Sequence, residues 1–296
     1  MRLPVFALAC VATAVSFGST IRHDRADSLY TTLDDQAPFS SVGRVNVTGG
    51  LGSGTYIGFG GGSHWVLTAA HVASNISQNP TFNVTGTNIS VTQVIAFSGW
   101  ALNNNDFSLL RLATDPGVAA VPFYNGALEL GRETVSVGYG ATGTGLTGIN
   151  AGAGTRRAFE NVADFVNTNA SENVIFTDFD NPINAADNVI GSAIPRNLEG
   201  NVAGGDSGGG LFGNFGTTSS PVWRLIGVTS TLAWVDGTGN ADYGDLSGYA
   251  RIGGTAPTGA NWIQNNTGIA GVPEPGTMLV LGAGLAALAR RRRRQA

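Results

Sequence analysis

The stretch 204-GGDSGGG-210 sets one serine among glycines. In a chain with 44 glycines in 296 residues, such a run alone reads as loop or linker. Two segments elsewhere change that reading. One is 65-WVLTAAHV-72, where His71 follows Thr-Ala-Ala at the end of an apolar strand. The other is 103-NNNDFSLLRL-112, where Asp106 immediately precedes an apolar strand. A serine hydroxyl is a poor nucleophile at neutral pH. It needs a base to take its proton, and the base needs an acceptor to fix its tautomer. Ser207, His71 and Asp106 supply these three residue types, and His71 is one of only three histidines, with His23 and His64.

Between these segments helical periodicity is nearly absent. Short β-rich runs recur between Gly, Asn, Ser and Thr clusters. They are 41-SVGRVNV, 64-HWVLT, 90-SVTQVIAF, 107-FSLLRL, 134-TVSVGYG, 173-NVIFTDF and 222-VWRLIGVTS. The pattern predicts antiparallel strands joined by turns, in a sandwich or barrel. The segment 141-ATGTGLTGINAGAGT-155 predicts an exposed loop, and 260-ANWIQNN a helix near the domain end. No internal repeat stands out. The Asn-x-Ser/Thr sequences at Asn46, Asn75, Asn83 and Asn88 read as ordinary strand and turn residues.

Both ends read as processing segments. Residues 1-MRLPVFALACVATAVSFGST-20 have an early Arg, an apolar run and small residues, the layout of a secretory signal peptide. Cleavage after Ala14 or after Gly18 satisfies the small-x-small rule. The later site keeps the longer apolar core, giving a signal peptide over 1–18 and a domain over 19–268. The only cysteine, Cys10, sits too early for a lipid-modified terminus, so the exported chain would contain no disulfide. At the other end, 272-VPEP-275 is followed by an apolar stretch, 277–289, and by Arg290 to Arg294. The stretch is short for a full span, which takes about 20 residues. The arginines would hold that end in the cytoplasm. Residues 272–296 resemble the PEP-CTERM sorting signal of Gram-negative bacteria. The resemblance implies transient membrane insertion and recognition by an exosortase-type enzyme, then delivery to the periplasm, cell surface or exterior.

The chain is 42% apolar and 12% charged, which excludes a disordered or multi-span membrane protein. All 16 basic residues are Arg. Between residues 20 and 271 there are 10 Arg against 19 acids, a net charge of −9. That excludes nucleic acid or an anionic membrane as partner of the folded part. The roughly 250 residues there suffice for one large all-β domain or two small ones.

Taken with their order His, Asp, Ser, the three segments resemble the trypsin/chymotrypsin-like serine peptidases, in fragments from about residue 41 to 263. The resemblance implies two six-stranded antiparallel β-barrels with the site in the cleft between them, and a short C-terminal helix beginning near Trp262-Ile263. His71 and Asp106 would belong to the first barrel and Ser207 to the second. It implies peptide hydrolysis through an acyl-enzyme, an oxyanion hole from the N–H groups of Gly205 and Ser207, and neither cofactor nor metal. Ser230, in 225-LIGVTS-230, would hydrogen-bond Asp106. Asn201 would form the pocket floor, with Thr231 and Leu232 at its mouth and 247-SGYARI-252 as its far wall. A neutral Asn201 argues against Arg or Lys as the preferred substrate residue, and Leu232 favours small or medium apolar ones.

Asp206 would pair with a new α-amino group. No Arg-Ile-Val-Gly-Gly sequence is present, so Ile21 in 19-STIRHD-24 is the expected terminus, with cleavage before Val45 as the alternative. Two acidic stretches, 236-DGTGNADYGD-245 and 177-TDFDNP-182, have oxygens that would suit Ca²⁺. They read more simply as turns, and 236–245 lacks the bidentate Glu of an EF-hand loop. A second functional reading stays open, a surface or matrix protein that keeps the fold for binding. An intact set of His71, Asp106, Ser207 and Gly205 favours the enzyme, because a binding module has no use for all four.

Overall fold

The structure, a computed structural model, describes residues 19–167, 172–254 and 259–273. The expected signal peptide over 1–18, the apolar stretch 277–289 and the arginine cluster lie outside the described residues.

The chain enters through a two-residue strand, β1 (Thr20–Ile21), and a short helix, α1 (Asp27–Asp34). Six antiparallel strands then close a barrel. They are β2 (Val42–Val47), β3 (Gly50–Gly60), β4 (Ser63–Thr68), β5 (Thr81–Asn83), β6 (Asn88–Ala96) and β7 (Ser108–Leu112). The order is β2-β3-β4-β7-β6-β5, and the seam closes where Val45 of β2 pairs with Phe82 of β5. Alternation explains the inward faces. Ile89 and Val91 of β6 are buried between exposed Asn88, Ser90 and Thr92. The barrel is too narrow for a larger residue at Gly43, where a Cβ would lie 2.5 Å from the Phe82 ring.

The second half contains β8 (Glu133–Gly138), β9 (Thr142–Thr144), β10 (Gly148–Ala151), β11 (Arg157–Val162), β12 (Phe165–Asn167) and β13 (Val174–Asp178). It continues with β14 (Gly200–Asn201), β15 (Gly210–Asn214), β16 (Trp223–Ala233) and β17 (Leu246–Arg251). Seven of these form one sheet, β11-β8-β15-β16-β17-β13-β12. Its two ends are consecutive pieces of one run, because only Ala163 and Asp164 separate β11 from β12. The Asp164 N–H donates to the Phe176 carbonyl of β13 at 3.1 Å. The sheet therefore curls back on itself as a six-stranded barrel interrupted at one point. The expected pair of barrels holds, the first closed by hydrogen bonds and the second broken at Ala163–Asp164.

A smaller sheet, β10-β9-β1-β14, was not foreseen. The 141–155 segment expected as a loop forms its β9–β10 hairpin. Two glycines permit the close approach. A Cβ on Gly143 would fall within 1.8 Å of the Gly148 carbonyl oxygen, and one on Gly145 would enter the Tyr243 ring. The entering strand β1 is parallel to β9 and antiparallel to β14. Helix α1 then packs on β11. Tyr30 is fully buried, with its hydroxyl donating to the Glu199 carbonyl and accepting from the Arg22 N–H. Arg157 forks onto both oxygens of Asp27, and Arg156 reaches Asp34 and Asp35.

One apolar cluster runs through the first barrel into the second, joining Val45, Val66, Phe82 and Phe107 to Val137, Phe212 and Val228. The C-terminal helix α2 (Gly259–Thr267) returns to the first barrel, with Trp262 stacked on Phe107. Among the described residues no helix is long and apolar enough to cross a membrane.

Candidate active site

Asp106 is placed by a tight loop between β6 and β7. Asn103 and Asn105 both take left-handed backbone angles, φ +60° and +52°, which Asn tolerates better than most residues. Ala101 and Asn104 exchange backbone hydrogen bonds at 2.9 Å. The loop thereby turns the Asp106 carboxylate inward, where it is fully buried. His71 sits on the turn after β4, which Val72 and Ala73 close by donating to the Ala69 carbonyl.

The two residues meet twice. His71 Nδ1 donates to Asp106 Oδ2 at 2.6 Å, and the His71 backbone N–H donates to Oδ1 at 3.0 Å. With its proton on Nδ1, the ring keeps the Nε2 lone pair free to accept a proton. Ser230 of β16 donates to the same Oδ2 at 2.7 Å and accepts the Asn103 N–H at 3.1 Å. A buried carboxylate with three donors is well satisfied.

Ser207 lies on the turn before β15. The Gly209 N–H donates to the Asp206 carbonyl at 2.7 Å, and the Gly208 N–H to the Thr229 carbonyl at 2.8 Å. Gly205 and Gly208 have φ of +102° and +85°, the left-handed region that glycine enters without strain. A Cβ on Gly208 would lie 2.2 Å from Thr68 Oγ1 and 3.1 Å from the Ala69 nitrogen. Only a bare glycine lets the serine turn seat against the strand end that carries His71. Among the described residues the N–H groups of Gly205 and Ser207 donate to nothing else, so both remain available.

Asp206 points the other way, into the second barrel, and is 1% exposed. It accepts from the Gly140 and Ala203 N–H groups and from the Ser19 hydroxyl, the last at 2.8 Å. Burial pushes its carboxyl up to about 6, against the pull of these donors. From the entering arm it is the Ser19 side chain that meets Asp206. Ile21 is two residues further on, paired with Gly200 and Thr144. Val45, the alternative terminus, is fully buried inside the first barrel as part of β2.

Asn201 is fully buried on β14. Its side-chain oxygen Oδ1 accepts the Val202 N–H and the Ser247 hydroxyl. The backbone N–H can only donate, so the amide orientation follows, and Nδ2 is left buried without a partner among the described residues. Ser247 belongs to β17, the strand expected as the far wall. Thr231 donates to Asn103 Oδ1, and Leu232 is half-buried.

The acidic stretches are turned on their own backbone. Asp236 accepts from Thr238, Asn240 donates to Asp242, and Asp245 accepts the Ala241 N–H. Asp178 accepts from Val189 and Ile190. Among the described residues no group of three or more His, Cys, Asp or Glu is arranged to hold a metal ion.

A model of the trypsin family matches residues 41–256. The chain belongs to the trypsin family. A model of the PEP-CTERM protein-sorting motif matches residues 271–294. Among solved structures the chain is similar to neuropsin, described as a serine protease expressed in the limbic system of mouse brain. The identity is 18% and the TM-score 0.49, over 77% of this chain and 94% of that one. No curated protein matches.

The trypsin-family match begins at residue 41, so the arm over residues 19–40, which supplies Ser19 and α1, precedes it. Also not foreseen were the contacts of Asn103 with Ser230 and Thr231, and of buried Ser53 with the Gly205 and Ser207 carbonyls. The Asn run 103-NNN was a signal for the first, because Asn tolerates the left-handed angles found at Asn103 and Asn105. Nothing distinguishes Ser53 within 50-GLGSGTYIGFG-60.

Proposed function

We propose that this trypsin-family protein is an exported serine endopeptidase. Ser207 attacks the scissile carbonyl, and His71 Nε2 takes its proton and then gives it to the leaving amine. Asp106 holds the ring and stabilises the imidazolium, with Ser230 supporting the carboxylate. The amides of Gly205 and Ser207 receive the oxyanion. Water then hydrolyses the acyl-enzyme by the same proton path in reverse. The observation that carries this reading is the hydrogen bond between half-buried His71 and buried Asp106, set two residues beyond the Ala69 edge against which Gly208 packs.

Maturation follows from Ser19. Cleavage after Gly18 hydrolyses one peptide bond and leaves an α-ammonium on Ser19, three bonds from the hydroxyl that reaches Asp206. The buried carboxylate otherwise has only neutral partners. Signal peptidase would thus create the terminus that orders the nucleophile turn, in place of the Ile21 terminus expected from sequence. The sorting motif at 271–294 supports export and exosortase-type processing. Asn201, Thr231 and Leu232 shape the pocket for small or medium apolar side chains. Protein or peptide is the substrate.

The test is hydrolysis of an unfolded protein substrate by the secreted, N-terminally processed chain. Wild type is expected to cut internal peptide bonds, and Ser207→Ala to lose the activity by about 10⁶. An inert, folded and processed wild type would instead point to the binding reading.

A further inference from the structure

Ser53 lies in the middle of β3, in the first barrel, and is fully buried. Its backbone N–H donates to the Ser207 carbonyl at 2.8 Å, and its hydroxyl donates to the Gly205 carbonyl at 2.8 Å. The hydroxyl also accepts the Tyr139 N–H at 2.9 Å. The Ser53 carbonyl accepts the Thr68 hydroxyl at 2.7 Å, from the last residue of β4. One residue of the first barrel therefore touches the nucleophile turn at two peptide groups. It also touches the strand that leads to His71 and the 139–140 segment that donates to Asp206.

The two peptide groups bracket the serine. The Gly205 carbonyl belongs to the peptide unit between Gly205 and Asp206, which lies between the two free N–H groups. That unit follows a glycine at φ +102°, where the backbone has little steric resistance to rotation. The Asp206 N–H donates to Ala203 at 3.1 Å, which fixes one side of the unit, and the Ser53 hydroxyl fixes the other. Without that hydroxyl the carbonyl would be left buried and unpaired, a state a rotating peptide unit relieves by turning elsewhere. Turning it misaims the amides on either side.

We propose that the Ser53 hydroxyl is a positioning group for the oxyanion site, clamping the Gly205–Asp206 peptide unit from the opposite barrel. This rests on the peptidase reading for its catalytic consequence. Its structural consequence is independent of that reading. The hydroxyl acts through the backbone and touches no substrate.

The experiment compares wild type, Ser53→Ala, Ser53→Cys and Ser108→Ala in the processed full chain. Cys keeps the volume with a weak donor, and so serves if the Ala variant fails to fold. Ser108 is a fully buried β7 serine of the same barrel whose hydroxyl reaches only the Ile95 carbonyl, at 3.4 Å, and it controls for general loss of packing. Amide hydrogen exchange over residues 203–210 is expected to quicken about 10-fold in Ser53→Ala, less in Ser53→Cys, and not in Ser108→Ala. In the same order kcat is expected to fall about 10-fold or more with KM nearly unchanged. Unchanged exchange in both Ser53 variants, or an equal rise in Ser108→Ala, overturns the proposal. Quickened exchange in a wild-type background that hydrolyses nothing would sustain the clamp and sink the peptidase reading instead.

Discussion

Ser230 donates to Asp106 Oδ2 at 2.7 Å, the same oxygen that accepts the hydrogen bond from His71 Nδ1–H at 2.6 Å. The serine reaches from the second barrel and the other two stand in the first, so one carboxylate oxygen joins the halves of the molecule. Asp106→Asn keeps the shape but reverses the donor at that oxygen, forcing the wrong imidazole tautomer. It is expected to lower kcat by about 10⁴, whereas Ser230→Ala removes one of three donors and is expected to cost about 10-fold. Steady-state kinetics on one peptide substrate separates the two.

Gly208 is required by both angle and space. At φ +85°, and with a Cβ that would lie 2.2 Å from the Ser53 carbonyl oxygen, alanine combines backbone strain with a backbone clash. Gly208→Ala is expected to destabilise the fold by about 3 kcal/mol and to abolish activity. Urea unfolding reads the first and hydrolysis the second.

In the second half Glu199, Asp178 and Asp180 are buried and Asp164 is half-buried, and among the described residues none of the four forms an ion pair. Burial pushes Glu199 up to about 8, and Asp164 up to about 7 with Asp178 and Asp180 adding to the push; burial with Asp178 beside it takes Asp180 up to about 6. In the unfolded chain these groups titrate near 4. The folded state therefore binds the extra protons between pH 4 and 8. Stability from these groups is fully present below pH 4 and falls as pH rises through 6 to 8. Urea midpoints are expected to be lower at pH 9 than at pH 5. Asp164→Asn, which mimics the neutral form beside Asp178, is expected to flatten that slope.

Arg251 and Glu129 form a forked ion pair at 2.7 and 2.9 Å, both within 1% of full burial. Removing one partner strands the other charge in the core. Glu129→Gln or Arg251→Met alone is expected to cost about 3–5 kcal/mol, and the double replacement less than their sum. Chemical denaturation of the four proteins completes the cycle.

On the proposed reading Asn201 floors the substrate pocket, and its buried Nδ2 is a donor that does not complement the donors and positive charge of Arg or Lys. A library of peptides cleaved by the processed chain is expected to be poor in Arg and Lys before the cut. Dominance of either residue there would contradict the pocket assignment.

The alternating runs were legible in the sequence because burial on one face imposes a period of two, as at the start of β6. Strand β3 was not. Its 50-GLGSGTYIGFG-60 run looks like linker, yet glycine is needed where Val72 and the Ser207 carbonyl crowd Gly52 and where Val66 and Val45 crowd Gly54. Helix α1 escaped for a related reason. Its stability comes from Tyr30 and from Arg156 and Arg157, more than a hundred residues away in sequence. His71, Asp106 and Ser207 stood out in the sequence because nucleophilic acyl transfer would fix residue type at each. Ser53 and Ser19 were not, since a hydroxyl placed by tertiary packing looks like any other.

The central claim is that Ser207 is a nucleophile activated by His71. The most direct measurement is reaction of the processed protein with a fluorophosphonate, followed by peptide mapping of the adduct. One adduct per chain on Ser207 is predicted, lost in Ser207→Ala and strongly slowed in His71→Ala. An adduct on another residue, or none on a folded wild type with a free Ser19 terminus, would contradict it.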